Sequence, residues 1–495
     1  MSVEISRPSA VSRRDRLSLS ESLHSRIAVA APLLVSLLIG TLVHARVSMA
    51  LPVADAHIYN VTAASLVGQH FFGPHWAIKL VADRGLYPAV VAGVYGLLGA
   101  PHPAAVGWLQ ALFMVPLTTY LIYVAGREAL SRRAGLFSAW GFALWLPAQW
   151  YTLWLLTETL TDLLMALVLA LLAAMLARKR KALALASGIS LGVLSLAHPA
   201  YQVLPVILLL ALAAHFLVYE RKHVRLVFLV ALGVFTVQVP HIVAVAEVPL
   251  PSLGQGGIGY GGGGGWGFYA GSRAETDFVP VPDDYRVSHL SAEGRLALVG
   301  RLIDRGEIHV EPHLLAIIRR NLRSPDPVRQ ALTDSDYYKA GAENLLDHPE
   351  KWPLKVEGNA GRLFLLPDRL QLYRDEPLAA NWRTTKWPFY ERDHRTTSTW
   401  FLRPWRPLSA LLVVCVVSGL LFVLLRRRDR LVLFVPLVAQ TVLLIAILVE
   451  WRYVIPLWSS MFVLAGLGTV GWLETQPTTS EESVGLPEGV GVEAG

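Results

Sequence analysis

Residues 159–197 read TLTDLLMALVLALLAAMLARKRKALALASGISLGVLSLA: two apolar runs, 159–176 and 183–197, joined by Arg178-Lys-Arg-Lys181. A soluble surface helix keeps a polar face, and neither run has one. A bilayer core about 30 Å thick is crossed by about 20 apolar residues in a helix. The reading is therefore a membrane hairpin whose basic turn stays on one side of the bilayer.

Composition extends this to the whole chain. Of 495 residues, 54% are hydrophobic and 16% charged, with a mean hydropathy of +0.45. Soluble domains carry about 25% charge, so too little polar surface is present to cover the apolar surface. Disorder, a coiled coil and a small disulfide scaffold are excluded. The net charge of +7 is not a nucleic-acid signal, because the basic residues cluster beside apolar runs. The single cysteine, Cys415, allows neither an intramolecular disulfide nor a cysteine zinc site.

Further runs of spanning length lie at 27–47, 105–124, 136–154, 201–218, 224–245, 407–425, 431–449 and 454–472. Basic clusters next to short loops mark the cytoplasmic side: Arg13, Arg14 and Arg16; Arg127, Arg132 and Arg133; Arg178 to Lys181; Arg221, Lys222 and Arg225; and Arg426 to Arg430. An even number of crossings must separate consecutive clusters. That holds if the short run 86–98 is re-entrant or interfacial, which gives about ten transmembrane helices in an all-α integral membrane protein with both ends inside. The expected organisation is a cytoplasmic tail at 1–26, a transmembrane core at 27–245 with a first outer loop at 48–103, an outer soluble subdomain at 246–403, further transmembrane helices at 404–473, and a disordered acidic tail at 474–495. The glycine-rich stretch 256–265 reads as a linker, since no Gly-Lys-Ser/Thr follows it.

Ionisable groups at membrane depth are costly and tend to be functional. In this topology they converge on the outer side: Asp55, His57, Lys79, Asp83, Arg84, Glu158, Asp162, His198, Glu247, Glu450 and Arg452. Glu158 and Asp162, four apart, share a helix face. Each also has a plain structural role open to it. Asp55 fits a helix N-cap, Glu158 a helix start favoured by the macrodipole, Asp162 a pairing with another helix, and His198 before proline a turn. Lys79 and Arg84 fit snorkelling at the interface, and Arg452 a pair with Glu450. His57 lacks a metal-ligand spacing. The sequon Asn60-Val-Thr62 is the kind of triplet that arises by chance.

Several stretches together resemble the GT-C membrane glycosyltransferases, in particular the group with protein O-mannosyltransferase and lipid A aminoarabinose transferase. They are Asp55-Ala-His-Ile-Tyr59, then Arg84-Gly-Leu-Tyr-Pro-Ala-Val-Val-Ala-Gly-Val-Tyr-Gly-Leu-Leu-Gly99, Thr157-Glu158-Thr159-Leu160, Gly188 to Leu204, Tyr337-Tyr338-Lys339-Ala340 through His348-Pro349, and Glu450-Trp-Arg452-Tyr453-Val-Ile-Pro456. Order and spacing carry the likeness, up to about Trp472. Two departures stand out: Ala56 follows Asp55 where the family often has a second acid, and His198 precedes Pro199 where it has arginine.

The resemblance implies a sugar donor carried on polyprenyl phosphate, an acceptor that is a lipid, glycan or protein, and a site facing the outside of a bacterial cytoplasmic membrane. It implies Asp55 as base in an inverting transfer, with Glu158 and Asp162 beside it or supporting a divalent cation. Lys79, Arg84 and Arg452 suit the donor phosphate, since Arg forks match phosphate oxygens. His57, Tyr59, Tyr87, His198 and Tyr453 would line the substrate groove, and the 86–98 helix the isoprenoid. A divalent cation is the one cofactor the resemblance leaves open, and no nucleic acid is expected as partner. Two rival functions use the same substrates: a lipid-linked glycan ligase or polymerase, and a transporter or flippase. The transporter predicts paired charges and broken helices at the bilayer midplane, whereas the acids here gather at one surface.

Overall fold

The computed structural model describes residues 13–46, 55–68, 86–247, 334–353, 405–446 and 454–475, with single positions at 316, 320, 356 and 364. Every regular element among them is helical. In chain order they are α1 (Arg13–Arg46), α2 (Asp55–Gly68), α3 (Leu86–Leu98), α4 (Pro103–Ala129, containing a π segment at Gln110–Met114), α5 (Arg132–Ala143), α6 (Leu146–Tyr151) and α7 (Glu158–Arg178). There follow α8 (Lys181–Ala197), α9 (Leu204–Tyr219), α10 (Arg225–Glu247), α11 (Asp334–Asp347), α12 (Trp405–Arg426), α13 (Val435–Ala446) and α14 (Ile455–Glu474). Six helical stretches among the described residues are long and apolar enough to cross a membrane, and α3, α8 and α9 are shorter apolar helices.

Around an apolar core, the outer helices turn apolar side chains outward while several polar ones are buried, as lipid demands and water forbids. Leu34, Leu38 and Leu42 on α1, Phe228 and Phe235 on α10, and Val414 and Leu421 on α12 are exposed, while Ser36, Gln110, Gln149, Gln238 and Gln440 are buried. The centre is α7 and α14: 83% and 89% of their apolar windows are buried, against 17% for α1. Lipid tails supply no hydrophobic drive between helices, so close approach has to come from small residues. A Cβ on Gly188 of α8 would land on the Val230 carbonyl of α10, and one on Gly419 of α12 on the Leu464 carbonyl of α14. Gln238 of α10 adds a bond from its Nε2 to the Gly192 carbonyl, 3.0 Å away.

The basic turns gather at one end, as the evenness of crossings requires. Arg178 pairs with Glu128, its Nε 3.0 Å from Oε2. Lys179 Nζ lies 2.7 Å from Glu220 Oε2, Ser131 Oγ donates to Glu474 Oε1 at 3.0 Å, and Arg430 stands within electrostatic reach of Glu220. Lys179 turns the chain between α7 and α8 in the left-handed region, φ 52°. The C-terminal end of α1 is at the opposite end, where His44 Nε2 is 2.8 Å from Thr152 Oγ1. Helices α2 and α3 pack on each other there, Tyr95 donating to Asn60 Oδ1 at 2.6 Å. That bond ties the asparagine of the Asn60-Val-Thr62 triplet into the packing of a helix.

One expected span is corrected. The run 136–154 is not a single helix: α5 stops at Ala143, α6 holds only Leu146–Tyr151, and residues 152–157 are non-helical. Pro147 lacks the N–H that would bond back to Ala143, so the helix breaks there. The run 431–449 also opens differently, with a 3-10 stretch at Arg428–Phe434 before α13. Helix α11 ends at Asp347, and a 3-10 turn follows at Pro349–Lys351.

The seams set a stability test. Gly419→Ala overpacks α12 against α14 and costs about 1–3 kcal/mol, whereas Gly93→Ala, inside α3 with nothing within 4 Å of its added Cβ, gains up to about 1 kcal/mol. Thermal unfolding in detergent orders the three proteins Gly93→Ala, parent, Gly419→Ala. A Gly419→Ala protein as stable as the parent refutes the close seam.

Candidate functional site at the end opposite the basic turns

Helix α7 begins at this end, and its first turn supplies the buried carboxylates Glu158 and Asp162. Around them stand three buried tyrosines: Tyr59 from α2, Tyr87 from α3, and Tyr201 from the 3-10 turn Pro199–Tyr201 between α8 and α9. Tyr59 and Tyr87 meet edge to face, ring centroids 5.4 Å apart. Burial, and then the charge of Glu158, push the Tyr87 phenol well above the usual tyrosine value. Burial, then Asp162 and Glu158, do the same to Tyr201. Four separate stretches of chain thus put phenols and carboxylates within electrostatic reach of one another.

The two acids differ in surroundings. Asp162 is tied to α14: Oδ1 accepts from the Ser459 backbone N–H at 3.1 Å and from the Ser459 hydroxyl. This is the pairing with another helix that sequence left open for it. Glu158 carries a longer contact from Thr157 Oγ1, 3.4 Å to Oε2, and sits at a helix start, where a carboxylate is favoured by the macrodipole. Among the described residues no group of three His, Cys, Asp or Glu is close enough to hold a metal ion.

The loop that delivers Glu158 is itself unusual. Residues 152–157 are non-helical, yet every one is buried. Backbone of that kind at membrane depth needs internal partners. Gln110, wholly buried at the head of the π segment of α4, donates both amide hydrogens to it, reaching the Thr152 carbonyl at 3.1 Å and the Trp154 carbonyl at 3.0 Å. Its Oε1 accepts from Tyr87 Oη at 2.9 Å.

Sequence-predicted residues fall into three groups. Tyr59, Tyr87, Glu158 and Asp162 come together here. His198 is half-buried at the α8–α9 turn, its Nδ1 accepting from the Ala200 N–H at 3.2 Å and its ring edge-on to Tyr201. Asp55 opens α2 one turn before Tyr59, and His57 follows it, but their side chains lie outside the described residues. So do Lys79, Asp83, Arg84, Glu450, Arg452 and Tyr453 entirely. Sequence reading missed Gln110, Tyr201 and Ser459. Gln110, a polar residue within an apolar run, was the one that left a visible signal.

No protein-family model matches the chain, and no curated protein does. Solved structures do. The oligosaccharyltransferase of Archaeoglobus fulgidus, tethered to an acceptor peptide with an NVT sequon, is 13% identical over 90% of this chain and 50% of its own, at a TM-score of 0.47. The archaeal oligosaccharyltransferase AglB from Archaeoglobus fulgidus, in complex with an inhibitory peptide and a dolichol-phosphate, is 12% identical over 90% and 50%, at 0.45. The chain spans about half the length of these structures.

The buried phenols give a pH prediction. Folding holds the protons of Tyr87 and Tyr201 more tightly than the unfolded chain does. The stability they contribute is present below about pH 10, the unfolded tyrosine value, and is lost as pH rises towards the higher folded values. An alkaline absorbance titration of the native protein shows a late phenolate step that shrinks in Tyr87→Phe and again in Tyr87→Phe/Tyr201→Phe. An unchanged late step contradicts the placement.

Proposed function

We propose that the chain is a membrane glycosyltransferase that moves a sugar from a polyprenyl-phosphate donor to an acceptor hydroxyl. The observation that carries this is the gathering of Glu158 with Tyr87 and Tyr201, and of Tyr59 against Tyr87, at the end of the bundle opposite the basic turns. Basic turns are retained in the cytosol, so in this reading the pocket opens to the outside, where a lipid-linked donor is presented and nucleotide sugars are absent. Tyrosine rings offer apolar faces and a hydroxyl, which suits a sugar beside an isoprenoid chain.

In the transfer, the acceptor oxygen attacks the anomeric carbon from the face opposite the phosphate. The bond from that carbon to the phosphate oxygen breaks, its electron pair leaves with polyprenyl phosphate, and the configuration inverts. A carboxylate takes the acceptor proton. Asp55 is the proposed base. It opens α2 four residues before Tyr59, and positions four apart share a helix face. Glu158 is its nearest rival for that role, while Asp162 braces α7 against α14. Lys79, Arg84 and Arg452 are the proposed partners of the phosphate, whose growing charge needs cations. His57, His198 and Tyr453 complete the proposed groove, and the segment 246–403 selects the acceptor. Lipid, glycan and protein hydroxyls all suit this chemistry.

Purified protein with membrane extract and radiolabelled polyprenyl-phosphate sugars tests the reading. Transfer by the parent falls roughly 100-fold or more in Asp55→Asn, the scale of a lost general base. Equal transfer by both removes Asp55 from the role, and the same comparison with Glu158→Gln then identifies the base. A parent that passes on only preassembled glycans is a ligase, and one that transfers nothing from any such donor is no glycosyltransferase.

A further inference from the structure

We propose that Gln110 is a positioning residue: its one buried amide couples helix α3 to the loop that carries Glu158, and so fixes where that carboxylate stands. The inference rests on the reading that Glu158 belongs to the working pocket. Within the loop, the N–H groups of Thr152, Leu153 and Trp154 bond to the carbonyls of Gln149, Trp150 and Tyr151 at 3.1–3.2 Å. The carbonyls of Thr152 and Trp154 are those that turn to Gln110. Trp154 is four residues before Glu158, and the Thr157 carbonyl already accepts from Thr161 N–H at 2.9 Å and Thr161 Oγ1 at 2.7 Å as α7 begins. The span between the amide anchor and the helix start is therefore three residues, 155–157, all buried.

The other end of the amide reaches the substrate side. Tyr87 donates to Gln110 Oε1 and packs edge-on to Tyr59, so a shift of α3 on binding reaches the loop through the Gln110 side chain. The π segment Gln110–Met114 suits this task. A π turn re-aims side chains within a continuing helix and is frequent at functional sites. No other residue type fills the position equally well, because glutamine alone among side chains of this length both accepts one bond and donates two.

The test uses the full chain in lipid nanodiscs on a Cys415→Ala background, with Leu155→Cys as reporter; Leu155 is 1% exposed. Gln110→Leu removes both donated bonds, and maleimide labelling at position 155 is expected to rise roughly tenfold or more at fixed pH, since two buried carbonyls lose their partner. In the transfer assay, made without the reporter, Gln110→Leu lowers kcat by roughly tenfold or more while donor KM stays within about threefold, the signature of a misplaced reacting group. Gln110→Glu adds a pH readout. Its carboxyl, buried against carbonyl oxygens, holds its proton to a raised pH and in that form can donate one bond. Its activity relative to the parent therefore falls as pH rises, whereas that of Gln110→Leu does not change. Labelling at the parent rate in Gln110→Leu overturns the anchoring, and a loss seen only in KM, or a flat Gln110→Glu ratio, overturns the positioning role. A parent that transfers no sugar sinks the proposed function instead, and the labelling still decides whether Gln110 holds the loop.

Discussion

A bare carbonyl cannot be left in hydrocarbon. Each unsatisfied backbone group there costs several kcal/mol, and one stretch of this fold puts that rule under pressure. Between α6 and α7 the chain leaves the helix for six residues, 152–157, without leaving the protein interior. The break gives the site its shape, because it lets α7 begin with Glu158 inside the bundle. Gln110 makes the break tolerable, Thr152 Oγ1 adds a bond to the Gln149 carbonyl at 2.6 Å, and the surrounding aromatic residues exclude lipid.

The rest of the architecture supports that arrangement. Helix α14 lies against α7, and Ser459 takes up the Asp162 carboxylate, so a charge that would be costly alone is hydrogen-bonded. Trp145, at the α5–α6 junction, meets Trp405, Trp458 and Phe462 edge to face with centroids 5.4–5.7 Å apart. These rings fill the widened space that a broken helix leaves. The glycine seams then let α8 with α10 and α12 with α14 close tightly, with Gln238 bonding across the first of them.

Much of this was legible in the sequence, for identifiable reasons. Apolar runs and arginine clusters are local, and they gave the helices and the gathering of Arg178, Lys179 and Arg430 at one end. Glu158 and Asp162 showed themselves as acids four apart at the start of an apolar run. The division of labour between them did not, because it is decided by Ser459, 297 positions away from Asp162. The broken span was missed because hydropathy counts apolar residues and residues 152–157 are mostly apolar. Pro147 was the available sign, and it was outweighed by the length of the run. Gln110 stands out as a polar residue in an apolar run, but its role and that of Tyr201 depend on partners from other stretches, the loop and the carboxylates.

The Lys179 turn bears on how the protein is made. Four consecutive cations, Arg178 to Lys181, each cost about 2.5–3.5 kcal/mol at the centre of an inserting helix, so they resist passage through the bilayer as the nascent chain emerges. The two arms on either side meet no such barrier. Helices α7 and α8 are thus suited to enter together as a loop with its tip held back, and the left-handed residue at the tip allows the tight reversal. On this route the hairpin closes in one event, with the start of α7 at the end away from the basic tip.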